Sequence, residues 1–297
     1  MKRTFFTLLV FVFLGYSCQD FVDADELLDT EEQIYINGLL SPQNDTVQIS
    51  VARTLPSIGV LFDVNDAQTD IDRFVVSDAE VILSDGSGNS TELIFSEMRR
   101  TYIVPATQFP IVAGERYFLE VNAEGKSLSA TCTVPLQQIT EIRERVLIRQ
   151  PGIGDETPGL TVSFDDIPNE ENFYIVGTLL DVGGEFPFST SLGFGLNAFV
   201  TDNIGDGEVL STSTDFFPIF NFENETMVLE EQELTFQVAQ VEEILFQQLR
   251  SQFLNRDNEG NPFAEVAIAP DNIEGGLGVF SGYQLITKSL VLTEEVP

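Results

Sequence analysis

The first apolar run along the chain, Phe5–Leu14, is short and follows two basic residues, Lys2 and Arg3. Two small residues, Gly15 and Ser17, lead from it to Cys18. A basic start, an apolar run of about ten residues and small residues before a cut site are typical of a secretory signal, because a membrane span needs roughly 20 apolar residues. We therefore predict a signal peptide over residues 1–17.

A cysteine at the cut is typical of a bacterial lipoprotein, in which Cys18 becomes the acylated first residue. The leucine usual three positions earlier is here Gly15, so an ordinary signal peptide with a chance cysteine is the alternative. Residues 18–32 hold seven acidic residues and no basic one. Because such a run repels itself, we predict an extended tether over residues 18–32, with a merely solvated linker as the alternative.

From residue 33 the apolar positions alternate with polar ones in short runs separated by turn residues. This alternation predicts strands, which we place at 33–40, 46–54, 79–84, 91–95, 101–104, 116–123 and 126–134. Residues 56–76 are rich in Asp and Asn and indicate a long loop. Many short strands without a helical period predict an immunoglobulin-like β-sandwich over residues 33–136.

The alternation continues beyond residue 137 and predicts a second β-rich, sandwich-like domain over 137–297. Its strands are expected at 139–149, 160–164, 172–181, 190–200, 216–222, 226–237 and 277–292. One segment differs, because Val241, Leu245 and Gln248 follow helical spacing. We predict an amphipathic helix at about 239–255, so that the fold class is mostly β with one helix.

The segment 216–222 is apolar on both faces when it is drawn as a strand. Its aromatic residues Phe216, Phe220 and Phe222 share one face, and Phe217 lies on the other. A strand of this kind is usually buried between layers. The alternative is an exposed patch, which makes these four phenylalanines candidate contacts for a partner protein.

Charge excludes several classes of partner. Removal of residues 1–17 leaves 280 residues with 12 bases and 48 acids, a net charge of −36. Such a chain repels nucleic acid and anionic lipid, so we expect no nucleic-acid partner. The span from Gln150 to Leu249 holds nineteen acidic residues and no base. An acidic rim around an apolar centre in the second domain would suit a partner with basic loops.

The chain offers little catalytic chemistry. It has no histidine, which excludes Ser-His and Cys-His nucleophiles and His-ligated zinc, and it has no tryptophan for stacking sugars or bases. Nucleophile-elbow, phosphate-loop and aspartic-protease motifs do not occur. Gly275, Gly276 and Gly278 precede a strand, so tight packing or a bulge is expected there. We predict a protein that is not an enzyme, with a carboxylate-pair hydrolase as the weakest alternative.

Two further features concern metals and thiols. The loops at 63–72 and 202–208 offer calcium-type oxygen ligands but lack the pattern of an EF-hand, so no metal site and no cofactor are predicted. Cys132 shares one strand face with Leu128, Ala130 and Val134. We therefore expect Cys132 to be a buried core residue, with no intrachain disulfide if Cys18 is lipidated.

The chain as a whole resembles a large family of Bacteroidota outer-membrane lipoproteins classed as a domain of unknown function. The segments that carry the resemblance are Ile34–Leu40, Val76–Val81, Ala113–Tyr117, Asn261–Phe263 and Asn272–Phe280. The acidic stretch after Cys18 also resembles the surface-export signal of such lipoproteins. Members are typically encoded beside SusC-type TonB-dependent receptors, which implies an outer-membrane location and such a receptor as partner. The resemblance implies no catalytic residue.

These observations together predict a surface-exposed outer-membrane lipoprotein, held by a lipid anchor, that serves as a non-enzymatic accessory or binding subunit of a SusC-type TonB-dependent transporter. The alternative is a free-standing surface binding or adhesion module, which could depend on calcium.

Overall fold

The computed structural model describes residues 32–54, 73–146, 159–183, 187–203, 205–214, 232–261 and 263–292. In these residues the chain is mostly β, which confirms the predicted fold class. The strands of the first half are β1 (Ile34–Leu40), β2 (Thr46–Arg53), β3 (Glu80–Asp85), β4 (Ser90–Glu92), β5 (Ile94–Ser96), β6 (Thr101–Pro105), β7 (Arg116–Ala123) and β8 (Lys126–Thr133).

The second half contains the remaining strands, one 3-10 turn and one α-helix among the described residues. These elements are β9 (Arg143–Val146), β10 (Leu160–Asp165), β11 (Phe173–Val182), β12 (Phe188–Leu192), the 3-10 turn Gly195–Ala198, β13 (Phe199–Thr201), β14 (Val209–Ser213), β15 (Gln232–Val241), α1 (Glu243–Asp257) and β16 (Leu277–Val291). No helix in the described ranges is both long and apolar enough to cross a membrane.

The first half is a sandwich of two antiparallel layers. One layer has the order β1-β2-β6-β5 and the other β4-β3-β7-β8. Strict alternation puts every second residue of β7 in the core, where Leu119 lies opposite Leu83 of β3 and Ala130 of β8. Tyr102 is 2% exposed, and its hydroxyl donates to the Val76 carbonyl at 2.9 Å. The buried phenol therefore keeps a hydrogen-bond partner inside the core.

The long strand β16 belongs to both halves of the molecule. Leu277–Gly282 pairs in parallel with Tyr35–Leu40 of β1, and Tyr283–Val291 pairs antiparallel with β15. The nine-stranded sheet therefore runs β12-β11-β15-β16-β1-β2-β6-β5, with β13 paired beside β11. Near-continuous burial over residues 278–282 shows that the crossing point is an interior position.

The glycines before and within β16 allow this close approach. A Cβ on Gly278, whose φ is +122°, would lie 1.9 Å from the Ile36 carbonyl oxygen. A Cβ on Gly276 would lie 2.7 Å from the Ile34 carbonyl oxygen. Only glycine can occupy such positions, so the packing role expected for this glycine group is confirmed.

The second half has its own core beneath the other end of β16. A three-stranded sheet, β14-β10-β9, packs against the β12-β11-β15-β16 part of the large sheet. The rings of Phe164 and Tyr174 meet edge to face at 5.0 Å between centroids, and Phe236 is fully buried beside them. This aromatic centre is typical of a sandwich-like core.

Helix α1 begins at Glu243, four residues after its predicted start. Residues 239–241 instead pair with Phe173–Ile175 of β11, because their alternation fits a strand as well as a helix. Phe246 on α1 packs against Phe173 and Phe199, with ring centroids 5.3 and 5.5 Å away. The helix thus covers the face of the large sheet opposite to its two cores.

The predicted strand at 190–200 is interrupted. Strand β12 ends at Leu192, and the chain turns through the 3-10 segment before β13 begins at Phe199. Gly195 adopts a φ of +58°, a conformation that a regular strand does not contain. The hydrophobic alternation did not reveal this break.

Cys132 lies in the first core, as its strand parity predicted. The side chain is 3% exposed and packs with Leu128, Ala130 and Val134. Burial, and to a smaller extent the Glu242 carboxylate, raises the pKa of the thiol far above its usual value. The thiol therefore stays protonated at neutral pH and behaves as an apolar core group.

Candidate functional site

The predicted lipidation site, the predicted partner contacts and one of the two Asp-rich loops lie outside the described ranges. This holds for Cys18, for Phe216, Phe217, Phe220 and Phe222, and for the Asp-rich loop at 63–72. The candidate site is therefore built from the described residues, where the first half meets the beginning of helix α1.

A cleft of about 380 Å³ opens at this junction. Its walls come from the segment after β8, the start of β11, the end of β15 and the start of α1. The lining residues are Pro135, Leu136, Glu170, Glu171, Asn172, Phe173, Gln240, Val241, Glu242, Glu243 and Ile244. The cleft thus combines apolar side chains with four carboxylates and two amides, and we call it the junction cleft.

Glu242 is the residue that joins the parts around the junction cleft. Its Oε1 accepts the backbone N–H of Thr133 at 2.8 Å, and its Oε2 accepts the backbone N–H of Gly282 at 2.7 Å and the Ser281 hydroxyl at 3.0 Å. One carboxylate therefore connects β8, β16 and the N-terminus of α1. Burial raises the pKa of Glu242, and these hydrogen bonds only partly oppose that rise.

A buried pair of amides, Asn172 and Gln240, belongs to the lining of the junction cleft. Asn172, 2% exposed, donates its Nδ2 hydrogens to the carbonyls of Ile167 and Glu170 at 2.6 and 3.0 Å. This fixes its Oδ1 as the acceptor for Gln240 Nε2, at 2.7 Å. Because Nε2 is thereby assigned, the remaining Gln240 atom is the acceptor Oε1, which has no hydrogen-bond partner among the described residues.

An orphaned buried acceptor of this kind is costly. Gln240 is 6% exposed, and a buried polar atom without a partner destabilises the fold by about 1–3 kcal/mol. The sequence analysis did not single out Gln240, although the alternation of buried positions along this strand indicates it. Gln240 follows Leu234, Phe236 and Val238 on the buried face of β15. A buried amide among these apolar residues indicates a position at which the side chain needs a hydrogen-bond partner.

Three aspartates lie next to this network and include two from the predicted Asp-rich segment 202–208. One carboxylate oxygen from each of Asp166, Asp202 and Asp206 falls within 4.8 Å of the others. Asp166, 5% exposed, accepts the Tyr174 hydroxyl at 2.7 Å and the Gly207 N–H at 2.9 Å. Burial, and then this hydrogen bond, raises the pKa of Tyr174.

The other two aspartates also hold the backbone of neighbouring loops. Asp202 accepts the N–H of Asn172 at 3.2 Å, and Asp206 accepts the N–H of Asn169 at 2.7 Å. These bonds tie the loop after β13 to the loop before β11. The three aspartates are therefore explained by packing between these two loops, and the bond to Asp202 holds Asn172 in the lining of the junction cleft.

We expect calcium and magnesium to raise the melting temperature of the protein equally. Calcium takes about six to eight oxygen ligands, whereas this cluster supplies three carboxylates that already accept hydrogen bonds. A thermal melt at millimolar calcium or magnesium measures the difference, and Asp206→Asn is the matched variant. A rise specific to calcium that disappears in Asp206→Asn would contradict this expectation and favour the calcium-dependent adhesion module.

The comparisons with known proteins give a family and no function. No curated protein matches the chain. The family model described as a domain of unknown function, DUF4249, matches residues 20–289. Since this match covers most of the chain, including both sandwich halves and the junction cleft, the chain belongs to the DUF4249 family.

Proposed function

We propose that this DUF4249 chain is a surface-exposed outer-membrane lipoprotein of a Bacteroidota species and a non-enzymatic binding subunit of a SusC-type TonB-dependent transporter. The observation that carries the proposal is the order of the first 32 residues. A signal peptide, Cys18 and an acidic tether follow one another, and each is suited to a lipid-anchored surface protein.

The described architecture supports action by contact. Cys18 would supply the anchor, residues 18–32 the reach, and the two sandwich halves the docking surface. The halves share one strand, so they present their faces in a fixed relation rather than as beads on a linker. Phe216, Phe217, Phe220 and Phe222 stay predicted partner contacts.

The acidic composition of residues 150–249 supports a partner with basic loops. Residues 150–249 include no lysine or arginine. The four glutamates that line the junction cleft all lie within that span. Opposite charge on a transporter's outer loops would speed the encounter, and apolar contacts would slow dissociation.

Membrane fractionation followed by a pull-down tests the proposal. We expect the wild-type protein to partition with the outer membrane and to bring down a TonB-dependent barrel after extraction in detergent. Cys18→Ser should remain soluble or unprocessed, because the acyl anchor is lost. Cys132→Ala is the matched control, since it removes the other cysteine and leaves Cys18 in place.

Two results would contradict the proposal. If Cys18→Ser partitions with the outer membrane as the wild type does, the anchor is not Cys18. If the wild type is anchored but brings down no barrel, the transporter role fails and the free-standing binding module replaces it.

A further inference from the structure

We draw no further inference here: the strongest candidate, the exposed apolar segment at residues 263–268 after helix α1, in which Phe263, Val266 and Ile268 are 93%, 80% and 88% exposed, carries none because nothing in the described part of the structure shows what covers it.

Discussion

Replacing Gly278 with alanine is expected to destabilise the protein by at least about 4 kcal/mol. The added Cβ would meet the Ile36 carbonyl oxygen at 1.9 Å, and the residue would have to keep a φ of +122°. The close contact and the positive φ are both unfavourable for alanine, so in this variant β16 would have to move away from β1. Because domains are typically stable by only about 5–15 kcal/mol, we expect a large loss of the folded population.

Urea unfolding followed by circular dichroism measures this loss as a lower midpoint. Gly177→Ala is the matched control, since Gly177 lies in β11 with nothing within 4 Å of the added Cβ. That variant should be neutral or slightly stabilising. A Gly278→Ala midpoint equal to that of the wild type would show that β16 does not approach β1 as described.

Replacing Glu242 with alanine should destabilise the protein by about 2–4 kcal/mol. The substitution removes the acceptor of the Thr133 and Gly282 N–H groups and of the Ser281 hydroxyl. Gly282 is buried, so its N–H would lose its partner without access to water. Urea unfolding measures the loss, and the exposed neighbour Glu243→Ala is the control, expected to cost at most about 1 kcal/mol.

The raised pKa of Glu242 predicts how the stability of the protein changes with pH. Because the folded pKa of Glu242 is raised above its usual 4.5, the native state binds more protons than the unfolded state over that interval. Its contribution to stability therefore falls as the pH rises from about 4.5 through the raised value, and it is constant above that value. The Glu242→Gln variant should lack this decline, and an unchanged profile would contradict the assignment.

Most strands could be predicted because alternation reports burial directly. Cys132 lies in the core, as its place in the strand alternation predicted. Strands β7 and β8 are separated by the turn residues Glu124 and Gly125, as expected. Alternation specifies which face of a strand is buried but not which strand lies beside it. The parallel pairing of β1 with β16 therefore could not be derived, although the glycines that permit it could be recognised as packing residues.

The junction cleft could not be predicted from the sequence. An apolar centre with an acidic rim was expected around Phe216–Phe222, which lie outside the described residues, so that expectation stays a prediction. The orphaned oxygen of Gln240 follows from hydrogen-bond geometry with Asn172 rather than from spacing along the chain. Side-chain orientation of this kind requires the tertiary structure.

The pairing of β1 with β16 also sets the order in which the molecule can be completed during synthesis. Leu40 pairs with Gly282, 242 residues later, and a ribosome needs roughly 10–50 s to add that length. Throughout this interval β1 presents an open edge to other nascent chains, and open edges invite association. The seven acidic residues of 18–32 come directly before β1 in the sequence, and like charges on separate copies of the chain repel one another.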